Sequence, residues 1–455
     1  MTEPISIDLG SVGDVKAFIS DEAPKNGDLE LHFQYTRGPA ASQLKRLQQV
    51  LRTVGHRTKF VGLLMMGAMN MDEIHMETIK SVDSNCPNLK TFYAAGLFTR
   101  DKRFNHQTLK KFFGRLENIV LQMGGIDGVG VFSDCKKLKE WTQEIFYGFE
   151  GECLNFNFPE LRSINFSKVD NIDNQHLEPF LSKNPQLKRI TLTRCTIDTE
   201  ILELIAKHVP AMEEISFNFR RSLVCRSDMQ KNLKYLCELE HLKALNLDCV
   251  GAPIAGTLKK MAEKSHSLNR VGLFCCPWES KLIEAFASLK DLTSLHLSNV
   301  TGLNDDCMIQ LTGSVGGLND LTLKYIENIT MDGVITLMIG CQRLTTATLL
   351  LRRMSTISTA RYHMLLEAMK SRPEKIKLTV NLWGSKSPLK LSKDMLKQNL
   401  EFLEILSNED ELNSNISFDF YCDSVDGGYD LVCYSPSHFL GGRQAPGGPQ
   451  SCNVN

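Results

Sequence analysis

A short hydrophobic motif with the spacing LxxLxL recurs along most of the chain. One copy begins at Leu187 with the residues LKRITL. Other copies begin at Leu89, Leu116, Leu138, Leu161, Met212, Leu242, Leu268, Leu292, Leu318 and Leu344. The steps between successive starts range from 22 to 30 residues, with a mean of 25.5. A motif that recurs at such a step predicts a repeat architecture in which each copy is one structural unit.

Each unit is predicted to be a strand followed by a helix. The alternating apolar positions of LxxLxL match a strand with one buried face. After Leu187, Asp198 stands where a helix N-cap is expected, and Ile201, Ile205 and Val209 share one face of the helix. Since one strand–helix pair cannot bury both of its apolar faces, the units must stack. The predicted fold class is α/β: a solenoid, or horseshoe, with a parallel inner sheet and outer helices.

The strength of the motif divides the chain into four regions. In order, they are residues 1–88, degenerate N-terminal repeats and cap; 89–350, repeats of about 26 residues; 351–434, C-terminal repeats and cap; and 435–455, a disordered tail. In the third region the pattern predicts a strand from Lys375 and a helix from Leu391 with Leu403 on its apolar face. The tail is rich in Gly and Pro and short of apolar residues, which is typical of disorder.

Cysteines recur at two places in the repeats, either after the strand or three residues before the next leading leucine. These cysteines are Cys86, Cys135, Cys195, Cys249, Cys341 and either Cys275 or Cys276. With this pattern the units resemble leucine-rich repeats of the Cys-containing subtype, best known from F-box/leucine-rich-repeat proteins. The resemblance covers roughly residues 89–350. No F-box is recognisable: its helices would include a Trp near the N-terminus, whereas the first Trp is Trp141.

The resemblance implies a non-enzymatic protein-interaction scaffold. In its more specific form, the chain is the substrate-recognition subunit of an SCF-type ubiquitin ligase. It would hold a ubiquitination target on the concave face while another element docks a cullin adaptor. The alternative is an inhibitor or regulator of a single partner enzyme, resembling ribonuclease-inhibitor-like repeat proteins, whose repeats are longer and richer in helix.

Candidate contact residues follow from the alternation of side chains along each strand. Residues between the buried leucines point out of the concave face, and they form a polar surface of mixed charge. Aromatic and Arg side chains are favoured as anchors of protein interfaces. The predicted partner-binding residues are Arg189, Asn246, Asp248, Arg270, Phe274, His296, Lys324 and Tyr325.

No catalytic, cofactor or metal site is predicted. The fourteen cysteines lack the C-x-x-C spacing of metal sites and are interpreted as buried thiols of a reducing compartment. Asp248 and His296 would lie two strands apart, or about 10 Å, which is beyond hydrogen-bond reach. A Ser/His/Asp site is therefore not expected.

Charge and hydropathy narrow the class of partner. Lys and Arg number 52 against 53 Asp and Glu, so the basic excess of a nucleic-acid-binding protein is missing. No stretch approaches the ~18 apolar residues of a membrane helix, and no secretory signal is recognisable. We therefore expect protein partners, no nucleic acid, no membrane, and a cytoplasmic and/or nuclear location.

Overall fold

Strands and helices alternate along the chain in the computed structural model. The structure describes residues 4–22, 25, 27–36, 38–65, 72–99, 106–126, 129–147, 151–169, 172–219, 224–264, 267–352, 358–373, 376–383 and 403–406. The strands are β1 Ile5–Asp8, β2 Leu29–Gln34, β3 Thr58–Leu64, β4 Thr91–Ala95, β5 Phe98–Thr99, β6 Asn118–Ile126, β7 Glu140–Tyr147, β8 Ser163–Ser167, β9 Arg189–Thr193, β10 Glu214–Asn218, β11 Ala244–Asp248, β12 Arg270–Phe274, β13 Ser294–Ser298, β14 Asp320–Ile326, β15 Thr346–Arg352, β16 Lys377–Trp383 and β17 Leu403–Leu406.

The helices lie between successive strands. They are α1 Val12–Glu22, α2 Ala40–Val54, α3 Asp72–Asn85, α4 His106–Gly114, α5 Asn174–Lys183, α6 Ile201–His208, α7 Arg226–Asn232, α8 Ala255–Lys264, α9 Ser280–Ser288, α10 Asp305–Ser314, α11 Met331–Gly340 and α12 Thr359–Lys370. Short 3₁₀ helices span Gly55–Arg57, Val129–Phe132, Gly151–Asn155 and Leu233–Glu238. The N-terminal region 1–88 contains three of the strand–helix units, β1–α1, β2–α2 and β3–α3.

All strands join one parallel sheet. Each strand pairs with the next along the chain, except that β4 pairs with β6 and the short β5 pairs with the far end of β6. In β9 the motif residues Ile190 and Leu192 are buried while Arg189, Thr191 and Thr193 are partly exposed. One hydrophobic core runs between the sheet and the helices. The α/β leucine-rich-repeat solenoid expected from the motif is therefore confirmed.

Two predicted local features were wrong. The residue that precedes α6 is Glu200 rather than Asp198, and the Asp198 carboxylate instead accepts a hydrogen bond of 2.8 Å from the Glu200 amide. Asp198 therefore shapes the bend before the helix. Leu403 lies in strand β17 instead of a helix, because it continues the parallel ladder opposite Leu378 of β16. Residues 384–402 and 407–455, including the predicted tail, lie outside the described residues.

Two units contain a 3₁₀ helix in place of an α-helix. They are the units that start at Leu116 and Leu138, with lengths of 22 and 23 residues. Such short units leave too few residues for an α-helix, and aromatic rings fill the space beneath. The Trp141 ring lies 4.8 Å from Phe132, 5.4 Å from Phe158 and 5.3 Å from Phe166, measured between centroids.

Two buried amide side chains in this region have opposite surroundings. Asn184 accepts a hydrogen bond of 2.7 Å from the Phe158 amide and donates to the carbonyls of Phe180 at 2.8 Å and Phe156 at 3.3 Å. Gln143 is buried on the core side of β7, and neither the oxygen nor the nitrogen of its side-chain amide has a hydrogen-bond partner among the described residues. The Asn184 amide therefore links consecutive units, whereas the Gln143 amide is buried without hydrogen bonds to the described residues.

Candidate protein-binding face

Two rows of side chains cross the concave face, which is the face of the sheet without helices. The first row from β7 to β15 is Glu140, Ser163, Arg189, Glu214, Ala244, Arg270, Ser294, Asp320 and Thr346. The second row, two residues further along each strand, is Thr142, Asn165, Thr191, Ser216, Asn246, Gly272, His296, Thr322 and Thr348. Small hydroxyl and amide groups dominate the second row, so this part of the face is a polar trough.

Both predicted arginines of the first row take part in ion pairs across the sheet. The Arg189 guanidinium donates to the Glu140 carboxylate at 2.6 Å, and Arg270 donates to Glu214 at 2.7 Å. Each pair spans an intervening strand, because the side chain between its members in the row is small. Ion pairs this exposed contribute about 0–1 kcal/mol to stability. The charges of both arginines are thus largely balanced within the face.

Three further predicted residues lie in or beside the trough. Asn246 covers Gly272, where any side chain would collide with the Asn246 amide oxygen. The half-buried His296 ring packs edge-on against Phe274, with centroids 4.9 Å apart. His296 Nε2 has no hydrogen-bond partner among the described residues. The positive charge of Lys324, itself half-buried, acts on this imidazole.

The remaining three predicted contacts are buried, which corrects the expectation that they lie open on the face. Asp248 and Phe274 are each 2% exposed and Tyr325 is 7% exposed. Simple alternation fails for Asp248 and Phe274 because they are the last residues of β11 and β12, where the chain turns. The Asp248 carboxylate accepts a hydrogen bond of 3.0 Å from the Val250 amide and so closes a turn. Tyr325 follows Lys324, and alternation therefore places it on the buried side of β14 with Leu321 and Leu323; its backbone is left-handed, with φ of 55°.

Acid should weaken the fold through His296. Burial, assisted by the charge of Lys324, lowers the pKa of His296 from 6.5 to about 3. As the pH falls through 6.5, His296 is therefore protonated in the unfolded chain but stays neutral in the folded chain. Protonation of His296 in the unfolded state thus leaves the free energy of unfolding unchanged above pH 6.5 and lowers it progressively below that pH. At pH 5 the loss is about 2 kcal/mol.

Urea unfolding at pH 7.5 and pH 5 tests this expectation. A His296→Gln variant should lose about 2 kcal/mol less than the wild type between these two pH values. The control is the same substitution at the exposed His241, which should leave the pH dependence unchanged. Equal acid losses in the wild type and in His296→Gln would contradict the expectation.

The concave face also carries an aromatic patch that the sequence analysis missed. We use this name for His32, Phe60, Leu64, Tyr93 and Val120, which lie in strands β2, β3, β4 and β6 and are all half-buried. The rings of His32 and Phe60 lie 4.7 Å apart. The signal was present in the sequence, since these residues alternate with buried ones. His32, Phe60 and Leu64 were overlooked because residues 1–88 were treated as degenerate repeats and cap, and Tyr93 and Val120 because contacts were predicted only from Arg189 onward.

A series of hydrogen-bonded polar side chains borders the aromatic patch. The Tyr93 hydroxyl donates to the Gln122 amide oxygen at 2.7 Å, and the Gln122 amide nitrogen donates to the Glu144 carboxylate at 2.7 Å. Burial raises the pKa of Glu144, against the opposing effects of the Lys168 charge and the Gln122 hydrogen bond. Burial also raises the pKa of Tyr93 to about 12, so its hydroxyl stays protonated. These two hydrogen bonds hold the Tyr93 ring at the edge of the patch.

A second missed feature is a basic rim along the edge of the sheet where the strands begin. The basic rim consists of Lys59, Lys90, Glu117, Lys139, Arg162, Lys188, Glu213 and Lys243. Each member lies just before or at the start of a strand, and from Lys90 onward its amide donates to the carbonyl of the preceding member at 2.6–2.9 Å. From Lys90 onward, every member follows the leading Leu or Met of its unit. Alternation inside strands could not reveal it, because these positions precede the strands.

The cysteines and acidic groups give no sign of other chemistry in the described ranges. The eleven cysteines found there are free thiols, and eight are buried as expected, whereas Cys237 and Cys275 are partly exposed and Cys225 is exposed. Cys276, which is buried, occupies the repeat position. No group of three or more His, Cys, Asp or Glu in these ranges is placed to hold a metal ion. Among the same residues, no helix combines the length and apolar character required to cross a membrane.

Comparisons with known proteins give similarities at the level of structure. No family model and no curated protein matches the chain. Among solved structures, an internalin (inlF) of Listeria monocytogenes is 14% identical with a TM-score of 0.41, over 70% of this chain and 78% of the internalin. Rad7, in a complex with Elc1 in yeast, is 16% identical with a TM-score of 0.46, over 89% of both chains.

A third similar structure is that of the TLR13–ssRNA13 complex, 15% identical with a TM-score of 0.38, over 89% of this chain and 61% of the other. Similarities of this size say nothing about partners or reactions. The identification of the fold comes instead from the 25.5-residue repeat and from the parallel sheet that it forms. By its own repeats and topology, the chain is a leucine-rich-repeat solenoid.

Proposed function

We propose that this chain is a protein-binding scaffold that holds a partner protein on its concave face. The aromatic patch carries the proposal, because half-exposed aromatic side chains on a rigid sheet are the groups most enriched at the centres of protein interfaces. The trough next to it contributes polar contacts through the predicted residues that remain accessible. These are Arg189, Asn246, Arg270, His296 and Lys324.

The more specific proposal is a substrate-recognition subunit of an SCF-type ubiquitin ligase, working in the cytoplasm and/or nucleus. It is supported by the resemblance of the repeats to those of F-box/leucine-rich-repeat proteins. In this role the concave face holds the ubiquitination target, and a different element of the chain docks the cullin adaptor. The two contacts are then separable by mutation.

Affinity purification of the full chain from its own cells, with mass spectrometry, tests both levels. The test variant carries Phe60→Ser and Val120→Ser in the aromatic patch. The matched control carries Ile309→Ser and Ile339→Ser, two aliphatic residues on helices that are 58% and 57% exposed. We expect recovery of one partner to fall at least about tenfold with the patch variant and to stay unchanged with the control.

Each outcome decides one level of the proposal. If all recovered proteins respond equally to the two variants, the concave face is not the binding surface. If cullin and its adaptor are recovered with the wild type and with both variants, the ligase role stands. If neither is recovered with any of the three, the ligase role is wrong and the chain is a scaffold of another kind. Thermal unfolding of all three proteins verifies that both variants fold.

A further inference from the structure

The basic rim has a regular distribution of charge. Glu117 lies between Lys90 at 3.0 Å and Lys139 at 2.7 Å. Glu213 lies in the same way between Lys188 at 3.3 Å and Lys243 at 2.7 Å. Each of these two trios therefore keeps a net charge of one positive unit.

Arg162 lies between the trios and adds a third unit. Its guanidinium donates to the Gln186 carbonyl at 3.0 Å, and it forms no ion pair with any described residue. Members of the rim follow one another at the spacing of parallel strands. The net positive units centred on Glu117, Arg162 and Glu213 are thus two strands, or about 10 Å, apart.

The charges of the rim remain available to a ligand. Hydrogen bonds from the lysines lower the pKa of both Glu117 and Glu213, so the two carboxylates stay ionised. The four lysine side chains of the trios are 36–54% exposed. Each ammonium group has three N–H donors, and the glutamate occupies only part of them. Three net positive units in a row, on a chain with a net charge of −1, favour an anionic partner.

A complementary segment exists in the same chain. Residues 407–434 contain seven carboxylates and no Lys, Arg or His. Four of the carboxylates, at Asp419, Asp423, Asp426 and Asp430, are three or four residues apart. In an extended chain these steps correspond to about 10–13 Å, which matches the spacing of the net positive units.

The segment is long enough to reach the whole rim. Residues 407–430 span up to about 80 Å when extended. The twelve strand spacings from β17 back to β4, combined with the length of one strand, amount to about 60 Å. Lys290 and Arg343, two more cations, line with Lys243 and the acidic Asp291 a cleft of about 470 Å³ at the end of the rim nearer to β17.

We propose that residues 407–434 dock along the basic rim of the same chain. The carboxylates at 419–430 bind the two lysine trios and Arg162. A nucleic acid is a poorer occupant, because it places a phosphate at every nucleotide whereas the rim offers a net charge only at every second strand. Its phosphates would also meet the carboxylates of Glu117 and Glu213. This proposal is independent of the function proposed above.

Carbodiimide coupling of the full chain, followed by mass spectrometry, tests the proposal, because the reagent joins carboxylates directly to lysine amines. We expect products that join the acids of 419–430 to Lys90, Lys139, Lys188 or Lys243, within the monomer band. Their yield should be about tenfold lower at about 0.5 M salt than at about 0.05 M salt. Coupling of Lys243 to Glu213, which are in contact at 2.7 Å, reports that the reagent worked.

Removing one charge separates docking from chance coupling. Arg162→Gln neither adds nor removes a coupling residue, yet it should lower the yield of the rim products several-fold by breaking the row of positive units. The matched control is Arg52→Gln, an exposed position on α2, which should change nothing. The proposal is overturned if the acids couple to lysines elsewhere, or if Arg162→Gln has no effect.

Mixing isotope-labelled and unlabelled copies gives a further decisive outcome. Products that join a labelled segment to an unlabelled rim would show that the segment binds a second copy, which overturns docking within one chain. If no product contains residues 407–434 while Lys243 is still coupled to Glu213, the segment does not bind the rim, and the ligand of the rim is another acidic protein or RNA. In that case too the proposal fails.

Discussion

Replacing Trp141 by alanine should destabilise the chain by about 3–5 kcal/mol. The indole ring is fully buried and contacts the rings of Phe132, Phe158 and Phe166 at 4.8–5.4 Å between centroids. It belongs to the second of the two short units, where 3₁₀ helices leave little other material between the sheet and solvent. The cavity cannot be closed by a shift of a neighbouring α-helix, so we expect the cost to lie at the upper end of this range.

Urea unfolding followed by circular dichroism measures the effect of Trp141→Ala. Because repeats contact only their neighbours, weakening one unit should also split the transition into two steps. The same substitution at the half-buried Trp278, whose ring is 6.4 Å from Phe286, is the control and should cost less than half as much. Equal losses for the two variants would show that the aromatic cluster around Trp141 adds no special stability to the short units.

Replacing Asn184 by leucine should cost about 2–4 kcal/mol, although the two side chains have similar size. The Phe158 amide would lose its hydrogen-bond acceptor, and the carbonyl of Phe180 would lose a donor. Both groups lie away from water, so the full desolvation penalty of each is felt. The amide also joins the end of α5 to the preceding unit, hence its loss loosens the contact between two repeats.

The matched comparison is Gln143→Leu, for which we expect the opposite sign. Removing a buried amide without partners should stabilise the chain by about 1–2 kcal/mol. Urea unfolding of both leucine variants under the same conditions gives the two signs directly. If Gln143→Leu destabilises the chain as much as Asn184→Leu, the amide of Gln143 has a partner in solution and the interpretation is incorrect.

The fold was predictable because burial follows the motif closely. Leu187, Ile190 and Leu192 have the spacing that a strand with one buried face requires, and all three are in the core. The alternation also placed Arg189 on the concave face correctly. It could not show that the Arg189 charge is balanced by Glu140, because the two residues are 49 positions apart and meet only through the strand register.

The site was harder to predict because contacts at strand ends obey different rules. Phe274 is the last residue of β12, where the chain turns, and its ring is covered. Phe60 and Tyr93, in contrast, lie in the middle of regular strands, Phe60 in the N-terminal region and Tyr93 in the first clear repeat, ahead of the units from which contacts were predicted. Judging exposure from a repeat consensus therefore overrated the strand ends and overlooked the first units.

The two units with 3₁₀ helices have a consequence for how strongly the solenoid bends. Helices pack about 8–10 Å apart whereas strands are about 4.8 Å apart, and this mismatch bends the sheet away from the helices. At β6 and β7 the thin segments Val129–Phe132 and Gly151–Asn155 reduce the mismatch, so the arc should be flattest there. The flat arc adjoins the aromatic patch, which suits a partner with a broad, level surface. The tighter arc over α8–α12 suits a narrower one.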